Sequence, residues 1–142
     1  MRCILKCQLI FFLILMVSCN SEQKDEISKL KDEVIGLHDE VMPYMGELKS
    51  LKKEVETKSK NLFDEDSLLN QNKIEELDLL AKQLDSAFEG MFVWMRQYKS
   101  PEEDMDRKAA KIYLLEQKSK VELVNKDIKE ALASAKEVLV KY

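Results

Sequence analysis

Apolar residues recur in this chain at alternating steps of three and four, over runs much longer than an ordinary globular helix needs. Ile27, Leu30, Val34, Leu37, Val41, Tyr44, Leu48, Leu51 and Val55 follow one another without a miss. Ile74, Leu77, Ala81, Leu84, Phe88, Met91, Met95 and Tyr98 do the same. A third run has two phases: Met105, Ala109 and Ile112, then Val121, Val124, Ile128, Ala131, Ala135, Val138 and Tyr142. Such stepping stacks side chains along one face of a helix and sustains the seam of a coiled coil or long-helix bundle. Three glycines and two prolines among 142 residues, with 35% of them charged, leave little to interrupt those helices.

The punctuation divides the runs. Ser100-Pro101-Glu102-Glu103 has the form of a helix start: an N-cap serine, proline at the first helical position and a capping-box glutamate. The stretch from Asn61 to Asn72, with Asp64-Glu65-Asp66-Ser67 inside it, is the other turn region. Pro43 lies within the first run and is expected to kink that helix without ending it, because the apolar stepping continues in phase on both sides. The spacing thus predicts an all-α domain over 27–142, with helices at about 24–60, 70–98 and 101–141. Short connections force neighbours to run in opposite directions, so the expected architecture is an antiparallel three-helix bundle of coiled-coil-like helices.

The first residues follow a different logic. Arg2 and Lys6 precede an unbroken apolar run, Leu9-Ile10-Phe11-Phe12-Leu13-Ile14-Leu15-Met16-Val17. A bilayer span takes roughly 20 apolar residues and this run is about half that, so it reads as the core of a signal peptide. Its end, Met16-Val17-Ser18-Cys19, resembles the lipobox of bacterial lipoproteins. That resemblance implies cleavage after residue 18 and lipid, palmitate included, on Cys19, with 19–26 as the tether. Several acyl chains on one residue anchor stably where one is marginal. On this reading Cys3 and Cys7 leave with the leader and Cys19 is modified, so no thiol remains for a disulfide, a metal or catalysis. Lys24-Asp25-Glu26 is similar to the Lys-acid-acid export signal of Bacteroidota lipoproteins, which implies the outer membrane, at its periplasmic or cell-surface face. Two further stretches, His38-Asp39-Glu40-Val41-Met42-Pro43 with Met45-Gly46, and Met91 with Trp94-Met95 leading to Lys99-Ser100-Pro101, resemble small helical Bacteroidota lipoproteins labelled "viral A-type inclusion protein". That family has no established activity.

Composition and motifs then narrow the function. The formal charge is −4, and loss of Arg2 and Lys6 makes the remainder more acidic still. An acidic domain has no electrostatic pull toward phosphate backbones, which argues against nucleic acid. A single histidine, glycines standing alone at 36, 46 and 90, and no serine with a base at a familiar spacing argue against an enzyme. Asp64, Glu65 and Asp66 lack the glycine and distal glutamate of a calcium-binding EF-hand, so they read as a solvated turn.

One constellation has chemistry of its own. If the first helix ends near 61 and the second starts near 72, Met42 and Met91 lie equally far from the turn, roughly 29 Å at about 1.5 Å per residue. His38, Met42 and Met45 share a face of the first helix, and Met91, Trp94 and Met95 share a face of the second. Met105 joins them after the second turn, and Gly46 and Gly90 stand at similar height, where they would let backbones approach or leave room for something. Thioethers and imidazole are soft ligands suited to Cu(I), and a Met/His pair can also hold haem iron. The candidate ligands are His38, Met42, Met91 and Met95, with Trp94 as a cap. The competing reading is that methionine fills irregular gaps beside a kink. The sequence therefore points first to a lipid-anchored envelope bundle that acts as an interaction, spacer or adaptor protein with an envelope partner or a second copy. Its alternative is an envelope copper-binding factor.

Overall fold

A computed structural model of the chain describes residues 26–142; the leader, Cys19 and most of the tether lie outside the described residues. The fold is all-helical. Helix α1 covers 26–41 and passes through a single 3₁₀ turn at Met42–Tyr44 into α2, Met45–Asp66. Helices α3, Gln71–Gln97, and α4, Arg107–Lys141, complete the architecture. The kink falls at Pro43, which has no N–H to give to the turn before it. A tighter i→i+3 turn absorbs the defect there, with the Met45 N–H donating to the Met42 carbonyl, and the chain continues in phase. The long first segment α1–α2, α3 and α4 pack against one another as three helices.

Cross-helix contacts give the order. Between α2 and α3 the numbers rise on one side and fall on the other: Lys49 lies over the Phe88 ring, Lys52 pairs with Asp85 at 2.6 Å and Ser59 donates to Asp78 at 2.7 Å. Between the first segment and α4 they rise together. Glu26 pairs with Lys111, Glu33 with Lys118, Glu40 with Lys129 and Glu47 with Lys136, at 2.5 to 2.8 Å. These glutamates recur every seven residues, the spacing that keeps one flank of a helix against a neighbour.

Two boundaries differ from the sequence expectation. The first helix runs on to Asp66, and the turn is only Ser67–Asn70. Asp66 carries it: Oδ1 accepts from Leu68 N and Leu69 N at 3.1 and 3.0 Å. The Asn70 side chain donates back to the Leu62 carbonyl at 3.1 Å. The third helix starts at Arg107, and the Ser100-Pro101 signal lies in the connection before it. Asp106 is the N-cap, its side chain accepting from Ala109 N at 2.9 Å. Tertiary contacts hold the connection out of the helix: Pro101 is buried, its carbonyl accepts from Lys31 Nζ at 2.8 Å, and Lys99 N donates to the Tyr113 hydroxyl at 2.9 Å.

The core is a continuous column of Leu, Val, Ile, Ala and Met with Trp94 near one end. On α4 the buried face is Ala110, Leu114, Gln117, Val121, Asn125 and Ile128. That seam is unbroken, so the expected change of phase is corrected. Met105, Ala109 and Ile112 point outward, and the inward positions were disguised by Gln117 and Asn125. Asn125 is satisfied, donating from Nδ2 to the Leu37 carbonyl at 2.8 Å and to Glu40 at 3.0 Å. Among the described residues no helix is long and apolar enough to cross a membrane.

Candidate functional site

His38 sits at the flank of the core, on α1 one turn before the Pro43 kink. Its Nδ1 lies 2.8 Å from a carboxylate oxygen of Asp39. A carboxylate only accepts, so in this contact Nδ1 is the donor and Nε2 is the ring nitrogen that Asp39 does not engage. The ring faces Trp94 across the helix boundary, with centroids 5.7 Å apart. His38 and Trp94, a candidate ligand and the candidate cap, are thus in ring contact.

Trp94 belongs to a longer aromatic series. Its indole stacks on Tyr98 with centroids 5.0 Å apart and planes 22° from parallel. Tyr98 stacks in turn on Tyr113 at 6.4 Å and 19°. The i, i+4 spacing of Trp94 and Tyr98 places both on one face of α3, and Tyr113 reaches them from the second turn of α4. Burial holds the Tyr98 phenol above its ordinary pKa, opposed by a hydrogen bond from Ser100. Trp94 is 5% exposed, and its Nε1–H is buried without an acceptor. The Gln117 carbonyl oxygen on α4 is likewise buried without a donor.

The methionines separate. Met91 is fully buried in the core and Met45 nearly so, while Met42 is half-buried against it. Met95 and Met105 are 39% and 42% exposed. Lys52–Asp85 and Ser59–Asp78 fix the register of α2 on α3. With the turn two residues later than expected, that register levels Met42 with Met95, and Met45 and Gly46 with Met91 and Phe92. The expected level pairing of Met42 with Met91 is corrected on this ground. Close approach at the glycines is corrected too: a Cβ at Gly46 would meet nothing within 4 Å, and one at Gly90 would make only ordinary contact with Val124 at 3.9 Å. Neither marks a close backbone approach.

Among the described residues no group of three or more His, Cys, Asp or Glu side chains is arranged to hold a metal. A groove between α1 and α4, floored by Gly36 and Leu37 and walled by Glu33, Glu40, Lys118 and Glu122, is shallow, and its charged rim is already paired. The sequence reading passed over Tyr98 as a seam residue and gave Tyr113, Asn125 and Gln117 no weight. The available signal was the Trp94/Tyr98 spacing, and a polar residue at each gap in the α4 stepping. No protein-family model, no curated protein and no solved structure matches this chain.

Proposed function

We propose that this chain is a lipid-anchored bundle of the bacterial cell envelope that acts as an interaction, spacer or adaptor protein and catalyses no reaction. On this reading lipid on Cys19 holds it at the outer membrane, and the body is an antiparallel three-helix bundle. The four-residue turn and the opposed numbering of contacts between α2 and α3 support that arrangement. The observation that carries the interaction reading is an apolar stripe left on the outward face of α4. Ile112, Leu115 and Leu123 are 59%, 47% and 59% exposed. They recur at helical spacing and are opposite the buried seam, which is how an unfilled contact surface is written on a helix. The spacer component rests on length, since residues 26 to 66 of the first segment extend roughly 60 Å at about 1.5 Å per residue. At its far end Leu68 and Leu69 are 86% and 83% exposed.

Sedimentation of the fragment beginning at Asn20 tests the stripe. Self-association that disappears in an Ile112→Glu, Leu123→Glu double variant supports a second copy as the partner; association unchanged by the pair removes α4 from the contact. For the anchor, Cys19→Ala is expected to lose incorporated palmitate and to enter the aqueous phase of a detergent extraction. A variant that stays membrane-bound and uncut would refute the lipid anchor.

One observation favours a second reading, Cu(I) binding. The Asp39 carboxylate engages Nδ1 of His38, the orientation that leaves Nε2 available as a ligand. Here His38, Met42, Met91 and Met95 supply soft donors and Trp94 caps the site by its ring. Met91 has to leave the core to take part, whereas Met42 and Met95 do not. Competition for Cu(I) against a chromophoric chelator, followed with Trp94 fluorescence, is expected to give one-to-one binding that weakens in His38→Ala and Met42→Ala. An unchanged chelator signal would leave these methionines as packing.

A further inference from the structure

We propose that the end of the α2–α3 hairpin, Phe63 with Leu68 and Leu69, enters the surface of an electrically neutral lipid bilayer, so that the bundle joins two membranes. The near end rests on the spacer reading above, with Cys19 held at one membrane; the far end stands on its own residues. Among the described residues the hairpin runs past α4. Lys58 Nζ on α2 donates to the Tyr142 carbonyl, and Lys73 Nζ on α3 lies 5.8 Å from the centre of the Tyr142 ring. Tyr142 marks the level where α4 stops beside them, and the apex of the hairpin lies roughly 10 Å beyond it at about 1.5 Å per residue. An interfacial element buries its apolar face about 5–10 Å into the boundary between headgroups and acyl chains. The projection reaches that depth before α4 meets the headgroups.

The backbone of the apex is prepared for an apolar medium, where an unpaired N–H is costly. Leu68 N and Leu69 N both donate to Asp66 Oδ1, and Asn70 N donates to the Asp66 carbonyl at 3.0 Å. The N–H groups of the two most exposed leucines therefore need no water. Phe63, 60% exposed on the last turn of α2, adds an aromatic ring beside them. Asn61, Asp66, Gln71 and Asn72, all exposed, ring the hairpin with polar groups at headgroup level. Area argues against a protein in this place. A stable protein contact buries roughly 800 Å² on each side, and an aromatic side chain supplies at most about 150–250 Å². Phe63 and two leucines fall short of that even when fully covered, whereas a bilayer accepts each apolar side chain separately. Charge selects the lipid. Between positions 60 and 73 Lys60 and Lys73 face Asp64, Glu65 and Asp66, a surplus of one negative charge, and Lys60 is already paired with Asp64 at 2.9 Å. Such an end has no pull toward anionic headgroups.

The test is vesicle capture. The full chain is reconstituted into phosphatidylcholine vesicles fixed on beads, and protein-free fluorescent phosphatidylcholine vesicles are added. The expected result is retained fluorescence that falls at least tenfold in a Leu68→Asn, Leu69→Asn double variant. Both side chains are exposed, so the fold should persist, as circular dichroism checks. Ile112→Glu with Leu123→Glu should capture as the wild type does, which separates the hairpin end from the α4 stripe. Replacing half of the added lipid by phosphatidylglycerol should weaken capture. Insertion itself is read in Leu69→Trp: emission should be quenched when the added vesicles carry brominated acyl chains, while Trp94 in the unsubstituted chain stays unquenched. A chain that washes off the beads overturns the near-end anchor and the bridge with it. A chain that stays on the beads and captures nothing, or captures equally in the double asparagine variant, overturns the hairpin end alone. Capture only when both sets of vesicles carry the protein would assign the end to a second copy, and capture lost at raised salt would make the attraction ionic; either result overturns the proposal.

Discussion

Asn125 is the residue whose removal tells most about this core. It is 5% exposed at a seam position otherwise held by Val121 and Ile128, and it spends its amide on the Leu37 carbonyl and on Glu40. A polar group at such a position selects one alignment of helices at some cost in stability. Asn125→Ala is expected to destabilise the domain by about 1–3 kcal/mol, because it opens a cavity and removes the donor to the Leu37 carbonyl and to Glu40, as read by urea denaturation. Gly46 works in the opposite direction. With open space at its Cβ and a helical backbone, it carries the entropic cost of glycine for no packing return. Gly46→Ala should raise stability by about 0.5–1 kcal/mol in the same assay; a loss would mean that something must approach its backbone.

At the scale of the element, the start of α4 and the charged flank of α1 can each be probed alone. Asp106→Ala should cost about 1 kcal/mol through loss of the N-cap, whereas Ser100→Ala should change stability by less than about 0.5 kcal/mol, as surface substitutions do. A reversal of the two would return the helix start to residue 101. The heptad ladder between the first segment and α4 is exposed and salt-screened, so it selects a neighbour more than it adds strength. It still leaves a pH signature. Hydrogen bonds from Lys118 hold the Glu33 carboxyl below its ordinary pKa, and those from Lys129 and Asn125 do the same for Glu40. A carboxyl whose pKa is lowered by folding contributes stability above its unfolded pKa of about 4.3 and loses it as the pH falls through the lower folded value. Thermal melts followed by circular dichroism should therefore drop on acidification below that point. The drop should be smaller in Glu40→Gln, which has no proton to gain; an equal drop would place the acid sensitivity elsewhere. On the alkaline side Lys118 and Lys141 are shifted upward by their partners, so their contribution holds until the pH passes the ordinary lysine value and fades above it.

For the molecule as a whole, the long column of shared core residues ties the three helices into one cooperative unit. Leu84 lies in the middle of α3 at 1% exposure, inside that column. Leu84→Pro removes a hydrogen bond, introduces a ring clash and leaves a void, a loss of about 3 kcal/mol or more. That is a large share of the 5–15 kcal/mol typical of a domain, and circular dichroism should show helix loss in all three helices together. Loss of signal limited to one helix would show that the three do not fold as a unit.

The period of the apolar residues was sufficient to establish the helical class and the number of long segments, because it reflects the geometry of a single helix and needs no partner. Pro43 could be read the same way, since stepping that stays in phase across a proline is local information. Ends and registers could not. The α2–α3 turn sits at Ser67–Asn70 because Asp66 and Asn70 close it, and moving it by two residues changed which methionine lies level with Met42. Ser100-Pro101 satisfied every local rule for a helix start and lost to contacts from other parts of the chain: Lys31 donates to the Pro101 carbonyl, and the Tyr113 hydroxyl accepts from the preceding Lys99 N. The stripe Met105-Ala109-Ile112 was visible as a pattern, but which of two faces of α4 turns inward depends on what the other helices present. Gln117 and Asn125 could be recognised as core residues only once their neighbours were in place. The sequence by itself determined the helices and the apolar supply they carry, since both follow from spacing along one chain. Only the tertiary structure decided which stripe is buried, which is left exposed, and that Trp94, Tyr98 and Tyr113 meet, because each of these depends on register between segments distant in sequence.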